Sequence, residues 1–380
     1  MKIDANSVTF EPQDMAFVKK FGILKATEMA LDYHAEHPNL PFLYDAEQLA
    51  GFLGISRGEL NDIVNHIQKE YKETRLPKKD GTYRSLCVPS IRLRFCQDPI
   101  KEKILPQLPV SKFATAYQKG STTRGNAEPH IGKKFLLKLD ITDFFGSITF
   151  EQVQRTAFNT RYVSRQVGYL LTSLCCKDDS LPQGAATSPS LSNIVMYRFD
   201  DYIGHWCSQR QIAYTRYCDD MTFSANRPLY GVYQKVKTML REMGFELNES
   251  KTHFIGNDNR QSVTGLVVNE KLSIPSGYKR DLRQEVYYAL KFGVEDSILH
   301  GHRSDFIEDG KPICCPTYML HLMGKVQYVL QIEPENLWFK DAQKKLLAYI
   351  YEHYSESLSY YLHFNKNGKG KGMYEQSNPV

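Results

Sequence analysis

The 380-residue chain lacks the features that mark membrane, secreted and zinc-binding proteins. No apolar run approaches the roughly 18 residues of a membrane-spanning helix, and we find no internal repeat. The eight cysteines include no CxxC spacing, which argues against a zinc site or a disulfide framework. They stand at positions 87, 96, 175, 176, 207, 218, 314 and 315. We therefore expect reduced and mostly buried thiols.

The first 14 residues, MKIDANSVTFEPQD, contain no apolar block and show no secretory signal. We therefore expect a cytoplasmic protein without a membrane anchor. Hydrophobic residues make up 42% and charged residues 24% of the chain, which is typical of a globular protein and excludes general disorder. At roughly 100–200 residues per domain, the length predicts two or three domains or subdomains.

Positive charge is concentrated in one segment. Residues 71–138 carry 15 basic and 5 acidic side chains, whereas residues 1–70 carry 6 basic and 11 acidic ones. The rest of the chain carries equal numbers of basic and acidic side chains. The net charge is therefore +10 for residues 71–138, although it is only +5 for the whole chain. Such a segment is typical either of a solvated face or of a surface that contacts a polyanion such as nucleic acid.

The N-terminal region is predicted to be helical. The hydrophobic pattern predicts an amphipathic helix over residues 15–36 and two short helices within residues 45–67. Ser56 and Glu59 form a capping-box pattern at the second of these. The pair resembles a helix-turn-helix, but its acidity favours a helical packing unit over a DNA-reading element.

The remaining pattern alternates strands and helices before a helical C-terminal region. A basic hairpin is expected within residues 72–95, and β-rich runs flank an acidic pair within residues 212–225. Further strands are expected from residue 135, at 252–256 and at 261–268. Further helices are expected at 150–175, after the loop at 178–190 as far as about residue 206, and at 229–243, 276–292, 316–331 and 338–363. The Gly- and Lys-rich tail is expected to be flexible.

Two acidic sites follow apolar β segments. Asp219 and Asp220 lie together at a predicted hairpin tip, where burial and mutual repulsion would raise their pKa unless a cation compensates. Asp140 ends the apolar strand FLLKLD, and Asp143 follows three residues later. An exposed Asp-Asp turn is the alternative interpretation. Together, however, these sites suit two divalent ions that stabilise an attacking and a leaving oxygen.

Two further segments suit a nucleotide substrate. In LPQGAATSP (181–189), three small residues allow a flat base or sugar to approach the backbone, and Gln183 can donate and accept hydrogen bonds. In the basic hairpin, Lys78, Lys79 and Arg84 are suited to a triphosphate, and the Arg84 guanidinium can bind it as a fork. Each segment alone is equally compatible with an ordinary loop or hairpin.

These segments resemble the motifs of reverse transcriptases. The matching stretches are KLDITDFFGSI, LPQGAATSPSLSNIVMYRFD and TRYCDDMTFSA, in this order. The resemblance covers roughly residues 70–330. Within that superfamily the chain is most similar to bacterial retron reverse transcriptases, because NAEPH (126–130) matches their NAxxH element and VTGLVVN (263–269) their VTG element. Cys218 stands where Ala is usual, and we expect the turn to tolerate it.

The resemblance implies roles for individual residues. Asp140, Asp219 and Asp220 match the catalytic triad that binds two Mg²⁺ ions, for which Mn²⁺ is a substitute. Phe145 matches the gate that excludes a ribose 2′-hydroxyl, whereas Phe144 is expected in the core.

The other implied site residues fall into two groups. The deoxynucleotide group comprises Lys79, Arg84, Asp143, Phe145, Gln183, Gly184 and Lys251. Lys78 is an alternative to Lys79, and Lys251 is equally compatible with a plain surface lysine. The group expected near RNA or primer comprises Asn126, His130, Val263, Thr264 and Gly265. For His130 a purely structural role is an open alternative.

The implied fold is an α+β right-hand polymerase. The expected domains are a helical N-terminal segment (1–70), fingers (71–135), a palm with inserted fingers helices (136–270), a helical thumb (271–365) and a flexible tail (366–380).

The implied activity is synthesis of branched, RNA-linked single-stranded DNA (msDNA) from a cognate structured noncoding RNA and dNTPs, in antiphage defence. We see no room for an RNase H or effector domain, so a host RNase H and a separately encoded effector protein are expected partners. The alternatives are another bacterial reverse transcriptase, group II intron-like or standalone, and a non-catalytic RNA-binding scaffold.

Overall fold

The computed structural model describes residues 2–4, 7–77, 81, 83–301 and 303–366, and it describes side chains within residues 7–77, 81, 83–301 and 303–354. The predicted tip lysines, Lys78 and Lys79, and the tail beyond residue 366 lie outside the described residues. The structure is mixed helix and sheet, which confirms the predicted α+β class.

The first half of the chain is mainly helical, with a prominent hairpin. Its elements are β1 Lys2–Asp4, β2 Ser7–Thr9, α1 Met15–Phe21, α2 Ile23–Glu36, α3 Ala46–Leu53, α4 Arg57–Asn65, β3 Tyr71–Pro77, β4 Tyr83–Pro89, α5 Ile91–Pro99, α6 Thr123–Ala127, β5 Phe135–Asp140, α7 Phe150–Thr156 and α8 Arg165–Cys175.

The second half begins with a long helix and ends in a helical region. Its elements are α9 Ser188–Ser208, β6 Ala213–Tyr217, β7 Asp220–Ala225, α10 Tyr230–Glu242, β8 His253–Gly256, β9 Ser262–Val263, β10 Leu266–Val267, α11 Ser276–Phe292, α12 Val294–His300, β11 Ile307–Glu308, β12 Lys311–Pro312, α13 Cys315–Ile332 and α14 Leu337–Lys366.

The chain divides into two compact units. Unit 1 comprises Met1–Ser121 and Leu137–Phe254, and unit 2 comprises Thr122–Leu136 and Ile255–Val380. None of the described helices is long and apolar enough to cross a membrane.

A four-stranded sheet, in the strand order β6, β7, β5, β8, lies mainly in unit 1. Strands β6 and β7 form an antiparallel hairpin in which Tyr217 pairs with Asp220. Apolar side chains of β5 and β7, among them Leu137, Leu139 and Phe223, are fully or almost fully buried. Burial of these residues is the main stabilising term for the sheet, at about 1.5–3 kcal/mol for each large side chain.

The local signals at helix ends are largely confirmed. The Ser56 side chain accepts from the Glu59 amide, and the Glu59 carboxylate accepts from the Ser56 amide, so the predicted capping box forms at α4. Two predicted helices were wrong in extent. The helix over residues 15–36 is divided at Gly22, whose φ of 78° is not helical. The helix over residues 150–175 is interrupted before α8, which starts anew with Ser164 as its N-cap.

Unit 2 has its own apolar core. It is formed mainly by the inward faces of α11, α13 and α14, with the short α12 and the β9–β10 hairpin. Large buried members are Tyr318, Leu322, Phe339 and Leu346.

All eight cysteines are free thiols, as predicted. Four of them, Cys96, Cys175, Cys176 and Cys207, are buried, whereas Cys314 is exposed, so the thiols are less uniformly buried than expected.

Candidate active site

Three carboxylates lie at the ends of adjacent strands in unit 1. Asp140 is the last residue of β5 and is 6% exposed. Asp219 lies in the β6–β7 turn, and Asp220 begins β7. The Ile141 amide donates to the Asp219 carbonyl oxygen over 3.2 Å, which joins the end of β5 to that turn. The fold thus brings together the two acidic sites that are 79 positions apart in the sequence.

Burial opposes the ionisation of Asp219 and Asp220. Burial, with repulsion from Asp140 as the second cause, raises the pKa of Asp219 above its usual value. Burial and repulsion from Asp219 raise the pKa of Asp220 to about 6. A nearby cation would remove this cost, because it favours the charged form of each carboxylate.

One protein cation already lies against this group. The Lys251 ammonium donates to both Asp140 oxygens, over 2.9 and 3.1 Å. That hydrogen bond, followed by attraction to Asp140, raises the pKa of Lys251. Lys251 therefore stays protonated beside the carboxylates, although its side chain is 59% exposed.

The carboxylates provide the oxygen donors that hard divalent cations prefer. Among the described residues, no group of three or more His, Cys, Asp or Glu side chains is arranged closely enough to hold a metal ion unaided. Two partly buried aspartates of raised pKa beside a third nevertheless fit a site that is completed by a cation and by substrate phosphates.

A buried ion pair fixes the β6–β7 turn that carries Asp219, and the sequence analysis missed it. Arg216 on β6 and Asp200 on α9 are both fully buried. The Arg216 guanidinium donates to both Asp200 oxygens and, through Nη1, to the Cys218 carbonyl oxygen over 2.8 Å. Nη2 of Arg216, which donates to Asp200, also donates to the side-chain oxygen of Asn193 over 3.1 Å. The turn that carries Asp219 is therefore tied to helix α9.

Two sequence signals point to this network. An arginine within the apolar strand AYTRY needs a buried partner, because an unpaired buried charge is very costly. Asn193 and Asp200 are seven residues apart, which places them on one face of α9.

Cys218 itself adopts a left-handed conformation, with φ of 60°. Burial raises the pKa of its thiol to about 12, so the thiol stays protonated and is unsuited to act as a nucleophile.

The LPQGAATSP loop packs against the basic hairpin. The Cys87 amide on β4 donates to the Gln183 carbonyl oxygen over 2.7 Å. Gly184 has φ of 123°, and a Cβ there would lie 2.9 Å from the Cys87 carbonyl oxygen, so this close approach requires glycine. Arg84 is exposed on the same strand, and its charge lowers the pKa of Asp219 against the larger effect of burial.

Phe144 and Phe145, neighbours in the turn after β5, differ in how deeply they are buried. Phe144 is 4% exposed and packs near Phe245, as expected for a core residue. Phe145 is only half-buried. Asp143 is exposed, and its backbone has φ of 42°.

In unit 2 the NAEPH and VTG segments are in contact. The Asn126 amide donates to the Thr264 hydroxyl over 3.4 Å, and that hydroxyl donates to the Thr123 carbonyl oxygen over 3.2 Å. Thr264 and Gly265 form the two-residue turn between β9 and β10, with φ of 45° and 79°. Val263 is fully buried beneath the turn, whereas Gly265 is exposed.

His130 follows Asn126 on the next turn and is fully buried. Burial, together with repulsion by Lys133, lowers the pKa of His130 to about 3. The imidazole is therefore neutral at physiological pH.

Comparison with known proteins assigns these features to a family. The family model for reverse transcriptase (RNA-dependent DNA polymerase) matches residues 76–268, half of the chain. The chain is 30% identical over 320 residues to the retron Mx65 reverse transcriptase of Myxococcus xanthus, covering 78% of this chain and 70% of that protein. It is 28% identical over 270 residues to the retron Ec86 reverse transcriptase of Escherichia coli, covering 70% and 84%.

A third relative, the retron Ec83 reverse transcriptase of Escherichia coli, is 34% identical over 233 residues, covering 57% of this chain and 75% of that protein. Among solved structures, the telomerase of Candida albicans with a fragment of telomeric RNA aligns at 12% identity with a TM-score of 0.41, covering 76% of this chain and 65% of that one. The family match and the curated relatives confirm the predicted right-hand polymerase fold and RNA-directed DNA polymerase activity. The chain belongs to the reverse transcriptase family and, within it, to the bacterial retron reverse transcriptases.

Proposed function

We propose that this reverse transcriptase copies part of a cognate structured noncoding RNA into single-stranded DNA that stays joined to the RNA through a 2′–5′ branch. The observation that carries the proposal is the hydrogen bond between Asn126 and Thr264 in unit 2. It joins the two segments by which the sequence resembles retron enzymes in particular, although they are 138 residues apart. Their association supports one shared RNA or primer site.

In this site each residue has a distinct part. Gly265 exposes backbone at a tight turn, which suits close approach of a nucleic-acid strand. Thr264 and Asn126 set the geometry of that turn. Val263 anchors the turn in the core, and His130, neutral and buried, stabilises the segment that carries Asn126.

We assign polymerisation to Asp140, Asp219 and Asp220. Two Mg²⁺ ions, or Mn²⁺ in their place, would activate the attacking hydroxyl and neutralise charge on the departing pyrophosphate. The protein's part is to hold the carboxylates at adjacent strand ends. Arg216 fixes the turn, and Lys251 balances the charge of Asp140 and is placed to give a proton to a phosphate oxygen.

The deoxynucleotide would lie against the surface that the basic hairpin and the loop at residues 183–184 form together. Arg84 is exposed and electrostatically coupled to Asp219, so it suits the triphosphate, and Lys79 is proposed with it on sequence grounds. Half-buried Phe145 suits a steric gate against the 2′-hydroxyl. Gln183 and Gly184 would contact base and sugar, and exposed Asp143 would face the same nucleotide.

The wider assignments follow from the retron relationship. We propose fingers, palm and thumb at residues 71–135, 136–270 and 271–365, after a helical segment at 1–70. The product would act in antiphage defence in the cytoplasm, with a separately encoded effector protein and a host RNase H that removes template RNA.

The double variant Asp219→Asn/Asp220→Asn tests the catalytic assignment, with Glu249→Gln, on an exposed ion pair, as matched control. DNA synthesis from an RNA template should be lost in the double variant, while RNA affinity stays close to that of the wild type because phosphate contacts dominate it. Retained synthesis would overturn the assignment. Retained biological effect without synthesis would favour an RNA-binding scaffold.

A further inference from the structure

A second cluster of aromatic and basic side chains lies in unit 1, away from the carboxylates. Its aromatic members are Tyr202 and Trp206 on α9, and its cations are Arg210, Arg227 and Lys235; we call these five residues the α9–α10 platform. Tyr202 is 51% exposed and Trp206 is half-buried.

Two of the three cations, Arg210 and Lys235, lie over the rings. The Arg210 guanidinium carbon is 4.5 Å and the Lys235 ammonium 5.2 Å from the centre of the Trp206 ring. Lys235 is also 5.0 Å from the centre of the Tyr202 ring and donates to its hydroxyl over 3.1 Å. Arg227 joins the cluster by donating to the Arg210 carbonyl oxygen over 3.1 Å.

The positive charge of the platform is not neutralised. Within the part of the chain that the structure describes, none of Arg210, Arg227 and Lys235 forms an ion pair, whereas neighbouring Lys237 is paired with Glu249. Aromatic rings attract cations, and here Arg210 and Lys235 of the protein already occupy that position. Three cations without an ion pair among the described residues, two of them over aromatic rings and Arg227 beside them, suit a ligand that is anionic and has flat faces.

The platform is remote from the polymerisation site. Arg210 precedes β6 and Arg227 follows β7, whereas Asp219 lies at the other end of the same hairpin. Five residues of β6 separate the two ends by about 13 Å along the strand, at roughly 3.3 Å per residue. An open groove of about 580 Å³ lies beside the platform, between α9 and α10. Its lining includes Tyr202, Lys235 and Met239, and Glu242 is the acidic residue in it.

We propose that the α9–α10 platform binds a single-stranded segment of nucleic acid outside the polymerisation site, with its bases against the exposed ring of Tyr202 and its phosphates on Arg210 and Lys235, beside Trp206. Stacking on aromatic rings and phosphate contact with basic side chains is how single strands are bound without sequence preference. The segment would come from the enzyme's own RNA or its DNA product, and this identification rests on the proposed function.

Tryptophan fluorescence reads the platform directly, because the chain contains only two tryptophans, Trp206 and Trp338. In the full-length Trp338→Phe variant, emission reports on Trp206 alone. Titration with an oligouridine and with an oligothymidine, each about 15 nucleotides long, should quench this emission saturably and more weakly at higher salt. The two titrations distinguish RNA from DNA as the preferred strand.

Removing the two cations provides the sharper comparison. Arg210→Gln/Lys235→Gln in the same background should weaken the quenching affinity by on the order of tenfold and reduce the salt slope by about 1.4, at about 0.7 per phosphate contact on a single strand. Lys237→Gln, on the same helix α10 but paired with Glu249, is the matched control and should leave both unchanged. Primer extension on a short template should match the wild type in all these variants.

Unchanged emission with both oligonucleotides would overturn the proposal, as would equal quenching with and without the two cations. Shielding of Trp206 from acrylamide by a bound protein, after nuclease treatment, would overturn it in favour of a protein interface. Failure of the retron assignment is distinguishable, because loss of branched DNA in cells leaves the quenching of Trp206 untouched.

Discussion

Replacing Asp200 by Asn is expected to destabilise unit 1 and to disorganise the β6–β7 turn that carries Asp219. Asp200 accepts from Arg216 Nε over 2.9 Å, from Arg216 Nη2 over 2.5 Å and from the Tyr214 hydroxyl over 2.7 Å. The amide has nearly the shape of the carboxylate but no charge. The charge of the fully buried Arg216 guanidinium then has no counter-charge from residue 200. The new N–H group of the amide also faces an Arg216 N–H group or the Tyr214 hydroxyl, where the carboxylate oxygen accepted a hydrogen bond.

Removing one partner of a fully buried ion pair costs about 3–5 kcal/mol. For a unit of this size, 1 kcal/mol lowers the unfolding midpoint by roughly 2–4 °C, so a decrease on the order of 10 °C is expected. Thermal and urea unfolding, followed by circular dichroism, measure this change. Glu249→Gln, on the exposed pair with Lys237, is the control and should leave the midpoint nearly unchanged.

The double variant Asp200→Leu/Arg216→Met separates stability from positioning. Because apolar replacement of a whole buried pair is often neutral or stabilising, the midpoint should return towards that of the wild type. The double variant lacks the Arg216 donor to the Cys218 carbonyl oxygen, so its kcat of primer extension should be below that of the wild type, with little change in KM for dNTPs. An unchanged midpoint for Asp200→Asn would show that the buried pair does not stabilise unit 1, and wild-type kcat in the stable double variant would show that Arg216 does not position the turn.

Three further outcomes are expected. Phe145→Ala should raise incorporation of ribonucleotides relative to deoxynucleotides on the order of tenfold, measured in single-nucleotide extension; unchanged discrimination would remove Phe145 as the gate. The pKa of His130 is lowered to about 3 in the folded state, so the neutral imidazole stabilises the fold above the unfolded pKa of about 6.5. As the pH falls from 7 to 5, the free energy of unfolding should decrease by about 2 kcal/mol. Urea titrations should show this decrease for the wild type but not for His130→Gln. Mg²⁺ at ten times its Kd should stabilise the wild type by about 1.4 kcal/mol against thermal unfolding, but not Asp219→Asn/Asp220→Asn, and equal stabilisation of both would place the metal elsewhere.

Local sequence signals predicted most of the elements, because each has a local cause. The bounds expected for the helix at 276–292 are those of α11, and the two β-rich runs around Asp219 and Asp220 form the predicted hairpin. The capping box at Ser56 is decided by residues three positions apart. The break at Gly22 was missed because the apolar pattern continues through it, although the backbone does not remain helical.

Interactions between distant segments could not be predicted in the same way. The bond between Asn126 and Thr264 spans 138 residues, so it depends on the packing of unit 2 and not on local preference. The pairing of Arg216 with Asp200 likewise depends on how α9 packs against β6. For the triad, the family motifs supplied the grouping of Asp140 with Asp219, and the structure supplied the hydrogen bond from Ile141 that joins their strands.

We propose that this enzyme makes DNA joined to its own RNA through a 2′–5′ branch. The most direct test purifies the protein from cells that carry its native locus and analyses the bound nucleic acid after RNase and debranching treatment. The expected result is one short DNA species of defined length that debranching releases from RNA, and its absence from the Asp219→Asn/Asp220→Asn variant. Heterogeneous or unbranched DNA, or RNA without DNA even after dNTPs and Mg²⁺ are added, would contradict it.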